Sequence, residues 1–482
     1  MATLDLFVIA AYMVGSLALA LALRERARTA DDYFLGARRL PAWAVMVSIV
    51  ATETSAITVI SLPGIAARGD FTFLQLGLGY IVGRLLVAWW LLPGYFSGTQ
   101  QTAYQRLGER FGLPTRQLIS VTFLVTRFLA DGVRIFAGAI PLALLTGFDL
   151  SAAIVLMGVV TLAYTFVGGL RSVVWADVLQ WCVYVAGGAV ALVVALNMGG
   201  GWEQSWARAE AAGKLKMFDL QASWTVPYTL LGGLVGGALL SAASHGTDHI
   251  IVQRLLASRS LRAAQVALVG SGLLVFLQFA LFLAIGTALW GAGQAGPELA
   301  GDQIFPQFIV QHLPVGVAGL LMAGILAAAM STISSSISAL ASSVTNDLYA
   351  PLAGKTTERD GPHLLRAGRA FSVVWGVLLT AAALGFAAWA GGKDTPTVVL
   401  ALSIASITYG PLLGSFVLAG WGGRVGQRLR GGDVVMAVAI SLALMAAIVL
   451  AKWLAFVWTV PLGAALTIGL GLLASTLRRR QA

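Results

Sequence analysis

The chain has little that reacts and little that is charged. Cys182 is the sole cysteine among 482 residues, so no intrachain disulfide can form and cysteine usage says nothing of the redox compartment. Charged residues make up only 11%, where soluble domains carry about 25%. No glycine-rich loop of the phosphate-cradling kind occurs, so ATP is not the expected drive. No His-Glu-x-x-His run occurs either. His245, Asp248 and His249, at i, i+3 and i+4, do have metal-ligand spacing, which keeps a membrane metallohydrolase as a distant alternative to a polar gate or hinge. Heptads, low-complexity tracts and a second soluble domain are absent, and the chain is not expected to be an enzyme.

What is there is apolar. Hydrophobic residues make up 58% of the chain and mean hydropathy is +0.85. A membrane span needs about 20 apolar residues. Thirteen candidates follow one another at 4–23, 42–66, 71–97, 116–145, 150–168, 172–198, 227–251, 264–290, 314–347, 365–390, 396–420, 433–451 and 455–477. The first carries Asp5 in place of a basic leader and is followed by a basic loop, so it is expected to be a retained span rather than a signal peptide. With the N-terminus outside, 22 Lys and Arg fall in inner loops and 6 in outer ones, with Arg84, Arg127 and Arg134 inside spans. That split follows the positive-inside rule and predicts an N-out, C-in protein of the plasma membrane, or the inner membrane of a bacterium. The net charge of +10 is then topology and contact with membrane lipid, not nucleic-acid binding.

Two spans look interrupted. The second runs from Ala51-Thr52-Glu53-Thr54-Ser55 to Pro63-Gly64 with polar residues at its centre. The seventh is glycine-rich over 232–237 and then reads Ser244-His245-Gly246-Thr247-Asp248-His249. Broken helices at membrane depth are tolerated where they line a cavity or lie buried in protein. The breaks lie five spans apart, and an odd number of helices per half inverts the second half, as in transporters built on inverted repeats. The expected organisation is 1–41 (first span and basic loop), 42–198 (first five-helix repeat), 199–226 (outer segment), 227–420 (second repeat) and 421–482 (two further spans).

Span 9 holds a ladder of hydroxyls. Ser331, Ser334, Ser335 and Ser338 share one helix face, at i, i+3, i+4 and i+7. Such a ladder either replaces the water shell of a small cation or lets two helices pack closely. Asp177 in span 6 would supply a negative charge to a cation, or pair with Arg171. In span 4, Arg127, Asp131 and Arg134 neutralise one another along one face, as a structural network or as the polar wall of a cavity offering a guanidinium to an anion. Glu53 is expected to line the cavity or to lie buried and protonated, and Arg84 to be a packing anchor.

Four motifs together resemble the sodium:solute symporter family, the relatives of sodium–proline, sodium–sugar and sodium–sialic-acid transporters. They are Ala51 to Ala56 with Pro63-Gly64, Gly168-Gly169 to Asp177-Val178-Leu179-Gln180, His245-Gly246-Thr247-Asp248 to Gln253-Arg254, and Ala328 to Ser335 with Asn346-Asp347-Leu348-Tyr349. The resemblance covers nearly the whole chain. It implies an all-α membrane protein with a leucine-transporter-type 5+5 inverted repeat and extra helices at both ends. It implies a main sodium site from the carbonyls of Ala51, Thr54 and Ala328 with the hydroxyls of Ser331 and Thr332. A second sodium would use Asp177, Ser331, Ser334 and Ser335. The substrate cavity would use Ser55, Thr58, Phe73, Gln75, Ser241, His245 and Tyr409, with Arg127, Asp131 and Arg134 nearby.

The chain departs from known branches. Ala130 stands where sialic-acid transporters have a carboxylate-binding arginine, Thr58 where sugar transporters have glutamine, and Ser244 where they have a gating tyrosine. The function implied is sodium-coupled import of a small polar solute (sugar, amino acid or carboxylate) by alternating access, in a protein that works as a monomer. Sodium is the coupling ion and no organic cofactor is expected. The alternatives are a proton-coupled symporter using Asp177 or Glu53, or a membrane sensor of the same fold.

Overall fold

The computed structural model describes residues 3–22, 27–98, 100–390, 397–420, 428–451 and 453–481. Arg24, Arg26, Lys393, Arg424 and Lys452, used above to orient the chain, lie outside these residues. Every regular element described is helical. In chain order they are α1 Thr3–Ala22, α2 Ala30–Leu35, α3 Ala42–Glu53, α4 Ala56–Arg68, α5 Leu74–Tyr95, α6 Gln105–Phe111 and α7 Leu113–Thr146. There follow α8 Leu150–Phe166, α9 Gly169–Met198, α10 Trp202–Ala211, α11 Gly237–Gly246, α12 His249–Leu256, α13 Leu261–Gly291 and α14 Gly301–His312. The last are α15 Val317–Leu352, α16 Thr357–Ala390, α17 Thr397–Gly420, α18 Gly431–Leu450 and α19 Phe456–Gln481.

Each expected span finds its helix or broken pair. Among the described residues, seven helices are long and apolar enough to cross a membrane by length and composition, and the bent pair α3 and α4 makes an eighth. Burial separates them. In α15, 89% of the apolar window is buried, against 22–50% in the other six. The hydroxyl-bearing helix is thus the central post, and lipid-facing apolar surface belongs to the helices around it.

Local chemistry explains the interruptions. α3 ends at Glu53, Thr54 is extended (φ −79°, ψ 108°), and Ser55 caps α4 by accepting the Thr58 N–H at 3.4 Å. The two halves are bent by 66°. In span 7 a π-turn over Gly232–Gly236 leads into α11, and Asp248 caps α12 by accepting the Ile250 N–H at 3.0 Å. The second half runs to Leu256, further than the sequence pattern suggested. The 49-residue helical run from Leu150 turns at Gly169, whose φ is +56°. A Cβ there would lie 2.4 Å from the Tyr33 carbonyl, so both the backbone angle and the space require glycine.

Candidate functional site

The two breaks open onto one cavity of about 280 Å³. Thr52, Glu53, Ser55 and Thr58 line it from the first broken helix, Arg127 and Arg134 from α7, and Ser244 and His245 from α11. Thr332 and Ser336 come from α15 and Tyr409 from α17. The wall towards the 199–231 segment is aromatic. Phe73 packs on Tyr228 and Phe279 with ring centroids 5.2 and 5.3 Å apart.

At the first break the last helical hydrogen bond runs from the Thr54 N–H to the Val50 carbonyl at 3.0 Å. The carbonyls that follow end the helix without helical partners, and they carry its negative dipole end. Ala51 and Thr54 are both buried. α15 meets this end directly, with the Thr52 and Ser335 hydroxyls 3.2 Å apart. Thr332 donates its hydroxyl to the Ala328 carbonyl at 3.2 Å, so these two oxygens lie side by side. The result is a dry cluster of neutral oxygens at a helix C-terminus, the chemistry that suits a hard monovalent cation.

Asp177 lies beside this cluster, fully buried. It accepts from Ser331 at 2.7 Å, from Ser48 on α3 at 2.5 Å, and from Arg254 on α12 at 3.0 Å. It forms an ion pair with Arg254, which the second broken helix brings in from 77 residues away, beyond either reading of the sequence. Ser335 and Ser334 both donate back to the Ser331 carbonyl, at 2.6 and 3.0 Å, and Ser335 also accepts from Arg254. Asp177, Ser331 and Ser335 therefore converge, and Ser334 adjoins them on the same helix.

The second break is filled by side chains. Asp248 accepts from Arg127 and, at 3.0 Å, from the Tyr409 hydroxyl. Arg127 also donates to Tyr409 at 2.8 Å and to Asp131 at 3.4 Å. Asp131 further accepts from Arg134 at 3.2 Å and from Ser336 at 2.6 Å. This knot ties α7, α12, α15 and α17 together. Within it Arg127 is 8% exposed and Arg134 23%, so Arg134 is the guanidinium with reach into the cavity.

Of the substrate residues expected from sequence, Ser55, Thr58, Phe73, Arg127, Arg134, His245 and Tyr409 line the cavity. Three do not. Asp131 lies behind the two arginines with no exposed surface. Ser241 donates to the Tyr80 carbonyl at 3.1 Å, fastening α11 to α5. Gln75 donates to the Tyr228 carbonyl and accepts the Asp219 N–H, at 3.1 and 3.0 Å, and so clasps the outer segment. Glu53 does line the cavity, but in an ion pair with the fully buried Arg84, with His245 at 3.5 Å. Arg84 is thus a charge partner rather than a packing anchor, steadied by donation to Ser271 at 2.6 Å. His249 turns away towards Ser342 (3.1 Å), and no group of three metal-capable side chains exists among the described residues.

Outside the membrane layer, Lys214 donates to the carbonyls of Ala67 and Gly69 at 2.9 and 3.0 Å, closing the far end of α4. Burial there holds its ammonium below the usual lysine range.

Helices broken at paired positions around a buried polar cavity define a secondary transporter built on an inverted repeat. The chain belongs to the sodium:solute symporter family, whose sequence profile matches residues 33–428. It is 31% identical to the sodium/sialic acid symporter NanT of Aliivibrio fischeri (strain ATCC 700601 / ES114) over 78% of this chain and 75% of that one. It is 30% identical to the human sodium/iodide cotransporter over 81% of this chain and 61% of the other, and 31% identical to human sodium-coupled monocarboxylate transporter 1 over 81% and 64%. A solved substrate-bound, outward-open Na+-coupled sialic acid symporter superposes with a TM-score of 0.87 at 26% identity, covering 99% of this chain and 98% of that one. MHP1, a nucleobase-cation-symport-1 family transporter, shares the fold at a TM-score of 0.59 and 14% identity, covering 95% and 96%. The expected fold class is therefore the observed one. The protein is a sodium-coupled symporter, not an enzyme.

Proposed function

We propose that this chain imports a small organic carboxylate together with sodium by alternating access. Its N-terminus is outside and its C-terminus cytoplasmic, in the plasma membrane or a bacterial inner membrane, and the working unit is a monomer. The observation that carries the substrate class is the contrast between two arginines. Arg127 is consumed by Asp131, Asp248 and Tyr409, whereas Arg134 has one carboxylate contact and 23% of its side chain exposed in the cavity. A guanidinium so placed suits a carboxylate. Relatives named for sialic acid, iodide and monocarboxylates all handle anions, which agrees with that choice over a neutral sugar.

The main sodium ion sits at the first break, held by the carbonyls of Ala51, Thr54 and Ala328 and the hydroxyls of Ser331 and Thr332. A second sodium uses Asp177, Ser331, Ser334 and Ser335. Sodium stabilises the state competent for substrate by binding it more tightly than the other state. The solute then closes the cavity and the halves rock. Uptake of labelled carboxylates, sugars and amino acids into proteoliposomes under an inward sodium gradient tests the reading, with choline replacement to expose proton coupling. Arg134→Ala should raise KM for the carboxylate roughly tenfold to a hundredfold, the loss of a hydrogen bond to a charged group. Unchanged KM, or uptake of neutral sugars alone, would remove the carboxylate assignment.

A further inference from the structure

Gln278, in the middle of α13, is unusual in a helix that is otherwise apolar over most of its length. Its amide is only 4% exposed and every polar atom is engaged. Nε2 donates to the Thr54 hydroxyl at 2.7 Å. Oε1 accepts from the Trp181 indole N–H and from the Tyr184 hydroxyl, both at 3.2 Å. Trp181 and Tyr184 lie on α9 at i+4 and i+7 from Asp177 and share its face. One side chain thus joins α13, α9 and the extended residue that interrupts the first broken helix.

Geometry makes this more than packing. Thr54 has left the helix, so no backbone ladder fixes it beyond its own N–H to Val50. Its side chain is the remaining handle, and Gln278 holds it. With both its N–H and its Oγ1 held, the Thr54 Cα is fixed from two sides, and this narrows the directions its carbonyl can take. The amide orientation is in turn settled by two donors on Oε1, which leave only the NH2 end to face Thr54. A ligand oxygen held this way has its ordering cost met before the ion arrives.

We propose that Gln278 is the positioning residue of the main sodium site, acting through Thr54, with Trp181 and Tyr184 fixing its amide. The proposal rests on the placement of sodium at the first break. Gln278→Leu keeps bulk and loses the amide. It should raise the half-saturating sodium concentration about fivefold to tenfold, the loss of one neutral hydrogen bond. Thermal melting of the purified full chain in sodium chloride titrated against choline chloride reads this directly. A merely structural role would lower the melting temperature equally in choline and sodium and leave the midpoint unmoved. That result would overturn the proposal. If Gln278→Leu does not fold, Trp181→Phe combined with Tyr184→Phe frees the amide while keeping both rings. It should move the midpoint the same way by a smaller factor, and an unmoved midpoint there would equally overturn the proposal. Absence of any sodium-specific stabilisation in the unaltered protein would instead overturn the sodium placement itself, so the two failures are distinguishable.

Discussion

The two broken helices solve one problem in opposite ways. At the first break the residues that leave the helix are Thr54 and Ser55, whose side chains serve Gln278 and the start of α4. The helix end lies against α15 through the Thr52 and Ser335 hydroxyls. At the second break Thr247 and Asp248 leave, and Asp248 is immediately consumed. It caps α12, takes Arg127 and accepts from Tyr409. At the first break the carboxylate is Glu53, the last helical residue of α3, and it pairs with Arg84, whereas at the second Asp248 lies in the break itself and pairs with Arg127. On the proposed placement of sodium the first takes an ion from outside the chain, and the second is a tie between helices. Local sequence decides this, because Thr54 and Ser55 put only hydroxyls in the first break, whereas Asp248 puts a carboxylate in the second.

Asp177 is where the two breaks meet, since it holds Ser48 of α3 and Arg254 of α12 together. Removing it should have the largest effect. Asp177→Ala leaves the fully buried Arg254 without its carboxylate, a change that costs about 3–5 kcal/mol for an uncompensated buried charge. A fall in melting temperature is expected in choline from the stranded charge and a larger one in sodium, where the proposed second ion is lost too, with partial recovery in choline when Arg254→Met removes the stranded charge. Equal melting of Asp177→Ala and the unaltered protein would separate the breaks and remove the joint between them.

Asp248→Asn sharpens the comparison from the other side. Asparagine still caps α12 but no longer neutralises Arg127, which keeps Asp131 and Tyr409. A loss of about 1–3 kcal/mol follows from one hydrogen bond to a charged group. The sodium midpoint should stay where it is, because the proposed sodium sites use none of the residues of this break. A sodium midpoint that moved with Asp248→Asn as far as with substitutions at the first break would abolish the distinction.

Much of this was legible in the chain. The polar run from Thr52 to Thr58, the glycine stretch before His245 and the hydroxyl face of α15 each mark themselves by clustering polar or flexible residues that the apolar stretches of the outer helices carry only singly or in pairs. Helical periodicity also placed Arg127, Asp131 and Arg134 on one face, and they do pair along α7. What periodicity cannot supply is the helix that a face meets. Arg254 finds Asp177 across 77 residues, and Gln278 finds Thr54 across 224. Both depend on how α9, α12 and α13 pack around α3. Gln75 shows the same limit from the opposite direction. Its position near the cavity suggested a ligand, but the 199–231 segment folds over it and takes its amide.

The most direct test of the account is sodium-driven solute uptake by Thr332→Ala in proteoliposomes, compared with the unaltered protein across a sodium titration. Thr332 touches the Ala328 carbonyl and the cavity but belongs to no ion pair, so the fold should tolerate the change. The account predicts that half-maximal uptake needs roughly tenfold more sodium, with little change in melting temperature in choline, as expected for losing one ligand oxygen. An unchanged sodium midpoint with unchanged uptake would contradict the placement of the coupling ion at the first break.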